Sequence, residues 1–366
     1  MSEHLPGNPA SGRRRRPPTQ VDLARHAGVS QATVSQVINE TPERPARLSP
    51  ETRARVLDAV RELGYRVNAA ARSLKGARNQ LLGLFTFEAV FPTDQRDFYF
   101  PFLLGVEEEV ADQGYDLVLF SSAGASGPRR IYVDGVNRLK LADGAVLLGR
   151  HVRRAELAEL VREDYPFVFI GRRAVPGAQL SYVAADYASA TRDLVCRLAE
   201  LGHRRILFAR ERGGAEPTRD RERGYRQGLK ASGLGADAAV VHRLPASGAV
   251  TEADLRAWAD SGVTAIVAEP SEDDSVAAGI EAAAAAAGLS IPDDLSVALL
   301  GDPSLAGRAH DWTRFAIPRP EMGRQAVRLL IQLLDADDGE ARQVLLDCVQ
   351  IPGQTVAAPR RPGGRR

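Results

Sequence analysis

Cysteine and long apolar runs are the scarcest features of this 366-residue sequence. Its two cysteines, Cys196 and Cys348, are too few for a disulfide framework and lack the spacing of metal ligands. We therefore expect reduced thiols and neither a metal nor another cofactor. No apolar run reaches the ~20 residues that a membrane-spanning helix needs. The first residues are polar and then basic, without the apolar core of a secretory signal, so we expect a cytoplasmic protein that contacts no membrane.

Signatures of catalysis are missing as well. The sequence contains no Walker run, no GxSxG motif and no HExxH motif, and it has six histidines. An enzyme would need an acid–base pair with perturbed pKa values in its cleft, and no pattern in the sequence indicates one. We therefore expect no enzymatic activity and no catalytic residues.

The net charge of +1 conceals an uneven distribution. Residues 1–78 hold 14 Lys and Arg against 7 Asp and Glu, or +7, whereas the remaining 288 residues hold 34 against 40, or −6. A basic end on an acidic body is typical of a chain that meets phosphates at that end. Residues 1–18 are rich in Pro, Gly and Arg, which predicts a disordered basic tail. Within it, Arg13–Arg16 either adds salt-sensitive attraction to phosphates or only keeps the chain soluble.

The run TQVDLARHAGVSQATVSQVIN, residues 19–39, predicts two short helices joined by a tight turn. Thr19 and Ser30 are placed to cap the two helices and are also expected to contact DNA, and Gly28 is placed to end the first. In the second helix apolar residues recur at helical spacing on one face. The other face carries short or amide-bearing side chains: Gln31, Ala32, Thr33, Ser35, Gln36 and Asn39. Such a face suits base edges in a major groove, as in a helix-turn-helix, although an ordinary helical hairpin is the alternative.

These residues resemble the headpiece of the LacI/GalR family of transcriptional repressors. The family's run DVAxxAGVSxxTVSRVLN is VDLARHAGVSQATVSQVIN here, and ETRARVLDAVRELGYRVNAAARSLKG matches the family's third helix and hinge. The resemblance implies a DNA-binding headpiece over residues 19–64 and a hinge helix or linker over residues 65–78. A segment as short as this hinge is marginal as a helix alone in water, so it would fold on the operator.

The resemblance also implies roles for single residues of the hinge. Leu74 aligns with the leucine that wedges between base pairs in the minor groove, with Asn68, Arg72 and Lys75 beside it on the DNA. The alternative for Leu74 is an apolar linker residue that packs on the core. In the headpiece, Gln36 replaces the family's arginine, which predicts a preference shifted from guanine toward adenine.

From residue 79 onward, predicted strands alternate with helices in two series, which indicates parallel sheets with helices on both faces. We assign Arg129–Leu139 to a helix in the first series. The strand Tyr182–Ala184 is taken to open the second series. Pro320–Leu334 is predicted to be a helix, and Gln343–Gln350 a closing pair of strands.

This body is similar to the core of the same family, which shares its fold with periplasmic sugar-binding proteins. The similarity rests on ADGAVLLG, ELGHRRILFA, RERGYRQGL and GLSIPDDLSVALL. The fold class is thus a small all-α headpiece plus an α/β core of two parallel-sheet subdomains. The implied boundaries are a core over 79–352, with one subdomain of about 79–178 plus 310–340, another of about 179–305 plus 343–352, and a disordered tail over 353–366.

A ligand cleft is expected beyond the carboxyl ends of the strands. Arg221 aligns with the arginine of the family's RxxG[FYW], whose forked donors grip ligand hydroxyls or a carboxylate; a solvated helix arginine is the alternative. Asp273, in DDSVAAG, would accept hydrogen bonds from ligand hydroxyls or cap a helix. The remaining candidates are polar or aromatic residues near predicted strand ends, and core packing is an equal alternative for the aromatic ones: Glu88, Phe98, Tyr99, Asp302 and Trp312.

The sequence departs from the family where a ligand would be held. The family usually carries G[FY]D[DN] near residue 300, but Gly301 aligns with its aspartate and Asp302 comes one place later. We hypothesise that the missing carboxylate frees Arg221 to pair with an anionic ligand.

The sequence as a whole predicts a DNA-binding transcriptional regulator, in this family usually a repressor. It would bind a palindromic operator in double-stranded DNA as a homodimer, at the nucleoid. A small-molecule effector would change its affinity: a sugar, a sugar derivative or another small metabolite. A solute-binding protein of the periplasmic type, without a DNA role, is the alternative.

Overall fold

The computed structural model describes the chain over residues 18–38, 48–65, 78–88, 96–121, 129–210, 215–244, 250–271, 275–303, 311–336 and 338–360. Contacts divide it into two units, Met1–Asn79 and Gln80–Arg366, each of which we treat by itself. The predicted tail before residue 18 and nearly all of the predicted hinge fall outside the described residues. The same holds for several predicted site residues: Asn39, Asn68, Arg72, Leu74, Lys75 and Asp273.

The first unit contains the predicted helix-turn-helix. Helix α1 is Gln20–Ala27, α2 is Gln31–Ile38 and α3 is Pro50–Leu63. Thr19 forms a capping box: its hydroxyl accepts from the backbone N–H of Asp22 (3.4 Å), and its own N–H donates to the Asp22 carboxylate (2.9 Å). The predicted start of α1 is therefore confirmed.

A small apolar core holds these helices together. Gly28 adopts φ +63°, a left-handed conformation that ends α1 and lets the chain turn into α2. One residue from each helix is fully buried in a shared apolar cluster: Leu23, Val34 and Val56. The apolar face of α2 is thus used for packing, which leaves its polar face outward.

The second unit contains two six-stranded sheets. In chain order the strands are β1 Leu81–Thr86, β2 Asp116–Phe120, β3 Tyr132–Val133, β4 Val136–Asn137, β5 Gly144–Leu148, β6 Phe167–Ile170, β7 Tyr182–Ala185, β8 Ile206–Arg210, β9 Ala239–Arg243, β10 Ala265–Ala268, β11 Ser296–Leu299, β12 Thr313–Ala316, β13 Gln343–Leu346 and β14 Val349–Ile351. The first sheet has the order β13-β7-β6-β5-β1-β2 and is parallel throughout. The second has the order β14-β12-β11-β10-β8-β9, in which only β14 is antiparallel.

Helices cover both sheets. They are α4 Arg96–Asp112, α5 Arg154–Arg162, α6 Tyr187–Glu200, α7 Glu216–Ala231, α8 Glu252–Asp260, α9 Ser275–Ala287 and α10 Arg319–Asp335. Helices α4, α5 and α10 pack on the first sheet and form the first subdomain with it, whereas α6 to α9 form the second subdomain with the other sheet. Two parallel sheets flanked by helices confirm the predicted fold class.

The path of the chain between the sheets differs from the prediction. Strand β7, predicted to open the second subdomain, lies in the first sheet beside β6, and β12 adds a strand to the second sheet that the sequence pattern did not predict. The predicted closing pair does not form, because β13 pairs with β7 and β14 pairs with β12. The chain therefore crosses between subdomains after β7, after β12 and again after β13.

The helix predicted over Arg129–Leu139 is wrong. The segment forms the hairpin β3–β4, followed by a short 3-10 helix at Arg138–Leu141. Asp134 (φ 50°) and Gly135 (φ 76°) make the turn, and an Asp-Gly pair with two positive φ angles matches the twist of a two-residue hairpin.

The predicted disorder after residue 352 is also wrong for residues 353–360. The Thr355 hydroxyl donates to the Val297 carbonyl (2.6 Å), and the Ala357 carbonyl pairs with the His203 ring (2.9 Å). Arg360 then forms an ion pair with Asp294 (2.6 Å). The segment is ordered because its backbone and side-chain polar groups find partners on the second subdomain.

The His203 contact gives stability a dependence on pH. The ring is buried, with Nδ1 at 2.8 Å from the Thr264 hydroxyl, and burial lowers its pKa while the Ala357 carbonyl opposes that shift. The folded protein thus binds this proton more weakly than the unfolded chain, whose pKa is about 6.5. We expect the free energy of unfolding to hold above about pH 6.5 and to fall below it by at most about 1.4 kcal/mol per pH unit from this group.

Denaturant unfolding of the wild type and of His203→Gln between pH 5 and pH 7.5 measures this effect. In the variant, the free energy of unfolding should fall less steeply at low pH than in the wild type. Equal slopes in the two proteins would contradict the prediction.

Candidate functional site

The outward face of α2 is the candidate DNA-reading surface. Gln31, Ala32 and Gln36 are exposed, whereas Thr33 and Ser35 are half-buried. These are five of the six predicted base-facing residues; the sixth, Asn39, lies outside the described residues. The amide side chains at the two ends of this face supply paired donors and acceptors, which is what bidentate reading of adenine requires.

Two of the predicted DNA contacts also cap helices. The Ser30 hydroxyl accepts from the backbone N–H of Thr33 (3.1 Å) and lies 2.9 Å from the Thr33 hydroxyl. Thr19 caps α1 in the same way. Helix N-termini with exposed donors bind phosphates well, so capping and backbone contact are compatible at both positions.

A cavity of ≈ 570 Å³ lies between the two subdomains. We call this cavity the cleft. It is lined by residues at the carboxyl ends of β5, β6, β10 and β11 and by the first turns of α5, α7 and α10. Its volume is that of an ordinary small-molecule site, and its place at the carboxyl ends of parallel strands is the one predicted.

The predicted effector residues divide into those that line the cleft and those that support its wall. Phe98, Arg221 and Asp302 line it. Glu88 and Tyr99 stand behind that lining: the Tyr99 hydroxyl donates to the Glu88 carboxylate (2.9 Å), and burial raises the pKa of Tyr99. The same carboxylate accepts the backbone N–H groups of the lining residues 150 and 151. Glu88 therefore positions the wall that follows β5.

Trp312 is not in the cleft. It is 3% exposed and packs in the apolar core of the second subdomain, against a cluster that includes Leu299 and Val297. The prediction that it stacks on a ligand is wrong, because its side chain fills space in that apolar core.

Arg221 is paired, contrary to the hypothesis that it is free for an anionic ligand. Its Nε donates to the Leu300 carbonyl (2.9 Å), and its Nη1 lies 3.4 Å from the Glu269 carboxylate. Its guanidinium stacks on the Tyr187 ring at 4.3 Å. Gly301 indeed lacks the family's carboxylate, but Glu269 supplies one from the end of β10.

Glu269 is the site residue that sequence reasoning missed. It is 2% exposed and follows the buried strand β10 directly, at the carboxyl end where ligand residues gather. Its position directly after a buried strand is the sequence signal that could have identified it. An aspartate at position 301 would fit poorly, because the backbone there adopts φ +152° and a Cβ would lie 3.0 Å from Cγ of Pro270.

Asp302 joins two arginines at the edge of the cleft. One oxygen accepts from Arg314 Nη1 and the other from Arg319 Nη1, both at 2.8 Å. The second oxygen also accepts the backbone N–H of Ile317 (3.0 Å). The carboxylate therefore stabilises the segment where the chain crosses between subdomains after β12. If it also binds a ligand, it serves both roles.

Ion pairs connect the two subdomains across the cleft. Glu216, at the start of α7, pairs with Arg154 of α5 (3.0 Å). Asp220, one turn later, pairs with Arg172 in the segment after β6; burial raises the pKa of Asp220, which the neighbouring arginines oppose. These two charge pairs therefore join the subdomains at the cleft.

The described residues hold no group of three or more His, Cys, Asp and Glu side chains placed to bind a metal ion. Across the same part of the chain, every helix is too short or too polar to cross a bilayer.

Comparison with known proteins relates both units to one class. Residues 19–68 match the family model of bacterial regulatory proteins of the lacI family, and residues 195–356 match that of the periplasmic binding protein-like domain. The HTH-type transcriptional regulator CelR of Thermobifida fusca is 32% identical over 347 residues, covering 91% of this chain and 97% of its own. Catabolite control protein A of Streptococcus mutans is 28% identical over 337 residues, covering 90% and 95%.

Solved structures give the same relation. A transcriptional regulator CelR–cellobiose complex matches with a TM-score of 0.59 at 28% identity, covering 92% of this chain and 99% of its own. The fold is also that of the lac repressor dimer bound to operator and an anti-inducer, with a TM-score of 0.64 at 21% identity, covering 94% and 100%. The alternative of a solute-binding protein without a DNA role is set aside, since the headpiece match and the relatives agree. The chain belongs to the LacI family of bacterial regulatory proteins: it is a DNA-binding transcriptional regulator and not an enzyme.

Proposed function

We propose that this regulator is a homodimeric repressor that binds a palindromic operator and changes its operator affinity when a sugar, a sugar derivative or another small metabolite fills the cleft. The observation that carries the proposal is the outward polar face of α2, in the same chain as a cleft between two subdomains joined by ion pairs. Because its proposed target is chromosomal DNA, it would act in the cytoplasm, at the nucleoid.

The DNA-reading roles follow the helix geometry. Gln31, Ala32 and Gln36, with the half-buried Thr33 and Ser35, read base edges of one half-site. Thr19 and Ser30 contact phosphates. The hinge residues are proposed in the roles that the family resemblance gives them, with Leu74 as a minor-groove wedge at the operator centre.

An exposed apolar patch on the first subdomain supports the dimer. Phe100 and Leu104 lie one turn apart on α4 and are 57% and 37% exposed, and Leu119 on the neighbouring edge strand β2 is 36% exposed. Apolar side chains grouped in this way favour burial against a second copy. The effector is proposed to contact Phe98 and Arg221, with Glu269 and Asp302 as acceptors and Asp273 as a further one.

The test is selection of bound sequences from fragmented DNA of the source organism at about 150 mM salt, which suppresses non-specific phosphate binding. We expect enrichment of a palindrome and a native mass of two chains. Gln36→Ala should lose about 1–3 kcal/mol of discrimination at one base pair per half-site. Gln227→Ala, another exposed glutamine, on α7, is the matched control. A monomer, or binding without sequence preference, would overturn the proposal.

A further inference from the structure

One carboxylate in the cleft serves two arginines. Glu216 is 5% exposed, and its Oε1 accepts from Arg154 Nη2 (3.0 Å) and from the backbone N–H of Ala174 (3.3 Å). Its Oε2 lies 3.9 Å from Nη1 of Arg173, at the limit of an ion pair. Glu216 therefore neutralises Arg154 more closely than it neutralises Arg173.

Among the described residues, no carboxylate lies closer to the largely buried Arg173 than that of Glu216, at 3.9 Å. Its side chain is 11% exposed, and its two short hydrogen bonds go to the neutral carbonyls of Arg172 and Gly149, each at 2.7 Å. Its guanidinium also lies over the Phe169 ring at 4.9 Å. Burial lowers the pKa of Arg173, with Glu216 as the main opposing charge. A desolvated charge is costly unless it is paired, so this position favours an added anion.

The other buried arginines of the cleft differ in this respect. Arg319 has a carboxylate oxygen of Asp302 at 2.8 Å, and Arg221 has Glu269 at 3.4 Å. Of these three described arginines, Arg173 therefore has the most distant carboxylate, and it lies on the first-subdomain side of the cleft.

We propose that the effector carries a carboxylate, as in the uronates and aldonates, and that Arg173 and Arg154 bind it where Glu216 now lies. The inference rests on the proposed function, since it names the ligand class of the same cleft. A planar guanidinium holds a carboxylate through two parallel hydrogen bonds, which is the strongest pairing that these side chains offer. Phe98 and Asp302 then hold the ring and the hydroxyls of the sugar.

Displacement of Glu216 also links binding to operator affinity. Glu216 belongs to the second subdomain, whereas Arg154, Arg173 and Ala174 belong to the first. A ligand carboxylate that takes both arginines removes this bridge, while the Arg172–Asp220 and Arg319–Asp302 pairs still join the subdomains. The acid therefore prefers a different subdomain angle, which is the differential binding that an effector needs.

The experiment uses the full-length dimer, already shown to bind its operator, and matched sugar pairs. Calorimetry at fixed ionic strength compares D-glucuronate with D-glucose, D-galacturonate with D-galactose and D-gluconate with D-glucitol; glucose 6-phosphate distinguishes a phosphate from a carboxylate. We expect at least one acid to bind at least tenfold more tightly than its neutral partner and than the phosphate. The same acid should change operator affinity.

Three variants separate the roles of the charged groups. Arg173→Gln should lose at least tenfold in affinity for that acid, and the half-exposed Arg154→Gln should lose severalfold without endangering the fold. Glu216→Gln should gain affinity severalfold, because the internal competitor is gone. Arg256→Gln, an exposed arginine on α8 paired with Glu252, is the control and should bind as the wild type does.

Several outcomes would overturn the inference. These are no response to any of the three acids, tighter binding of a neutral sugar or of the phosphate, and unchanged acid affinity in Arg173→Gln and Arg154→Gln. Any of them leaves the proposed function standing if the operator is still selected. If no operator sequence is selected, the result contradicts the proposed function instead.

Discussion

Leu23→Ala is expected to unfold the headpiece and abolish operator binding while the second unit stays folded. Leu23 is 0% exposed at the point where the three headpiece helices meet. Truncation of a buried leucine costs about 2–5 kcal/mol. A headpiece of residues 19–64 has about 2–7 kcal/mol in total, at about 0.05–0.15 kcal/mol per residue. The variant headpiece would therefore be largely unfolded, and α2 would no longer be presented to DNA.

Two measurements separate this result from a general loss of stability. Operator affinity should fall at least a hundredfold, while the thermal transition of the Gln80–Arg366 unit keeps its midpoint. Val21→Ala on the same helix is the matched control, because Val21 is 47% exposed and should cost less than about 0.5 kcal/mol. Wild-type operator affinity in Leu23→Ala would show that the core of the headpiece does not depend on this residue.

The headpiece could be predicted closely because its signals are local and agree with one another. Thr19 and Asp22 form the capping box within one turn, Gly28 takes the left-handed conformation, and the apolar spacing of α2 places Val34 and Val37 inward. Each of these effects acts over four residues or fewer, so the sequence contains the whole of the cause.

The path between the two sheets could not be predicted in the same way. Strand β7 is a short, fully buried apolar run that would suit the centre of either sheet. Its partner β13 lies about 160 residues later, so membership of the first sheet depends on long-range pairing that no local pattern encodes. The hairpin at Asp134 and Gly135 is different, since the Asp-Gly pair is itself a local signal for a two-residue turn.

The charge pairs of the cleft also lay beyond local reasoning. Arg221 was identified from its motif, but its partner Glu269 is separated from it by 48 residues and its backbone acceptor, Leu300, by 79. Whether a motif arginine is free or paired depends on which strand ends face it, and that is a property of the folded sheet. The hypothesis of an anionic ligand therefore survives at Arg173, not at Arg221.

Glu269→Gln is expected to destabilise the second unit by about 3 kcal/mol. Arg221 and Glu269 are 8% and 2% exposed, so the variant leaves the guanidinium buried beside the Tyr187 ring with a neutral amide in place of a carboxylate. Removal of one partner of a buried ion pair typically costs about 3–5 kcal/mol, and the amide's remaining hydrogen-bonding capacity favours the lower end. Denaturant unfolding measures the change. Glu252→Gln, which breaks the exposed pair with Arg256, should cost less than about 1 kcal/mol.

A double-mutant cycle then shows why the pair is present. Arg221→Met combined with Glu269→Leu replaces both charges by apolar groups, and such replacements are often neutral or stabilising. The double variant should therefore be more stable than Glu269→Leu alone, and the cycle completed with Arg221→Met should give a coupling of about 1–3 kcal/mol. Its operator binding should persist, but its response to the effector should be lost, because the forked donors that hold the ligand are gone. Recovery of stability without recovery of that response would mean that the pair serves ligand binding and not the fold. A double variant that still responds to the effector would remove Arg221 from the proposed binding site.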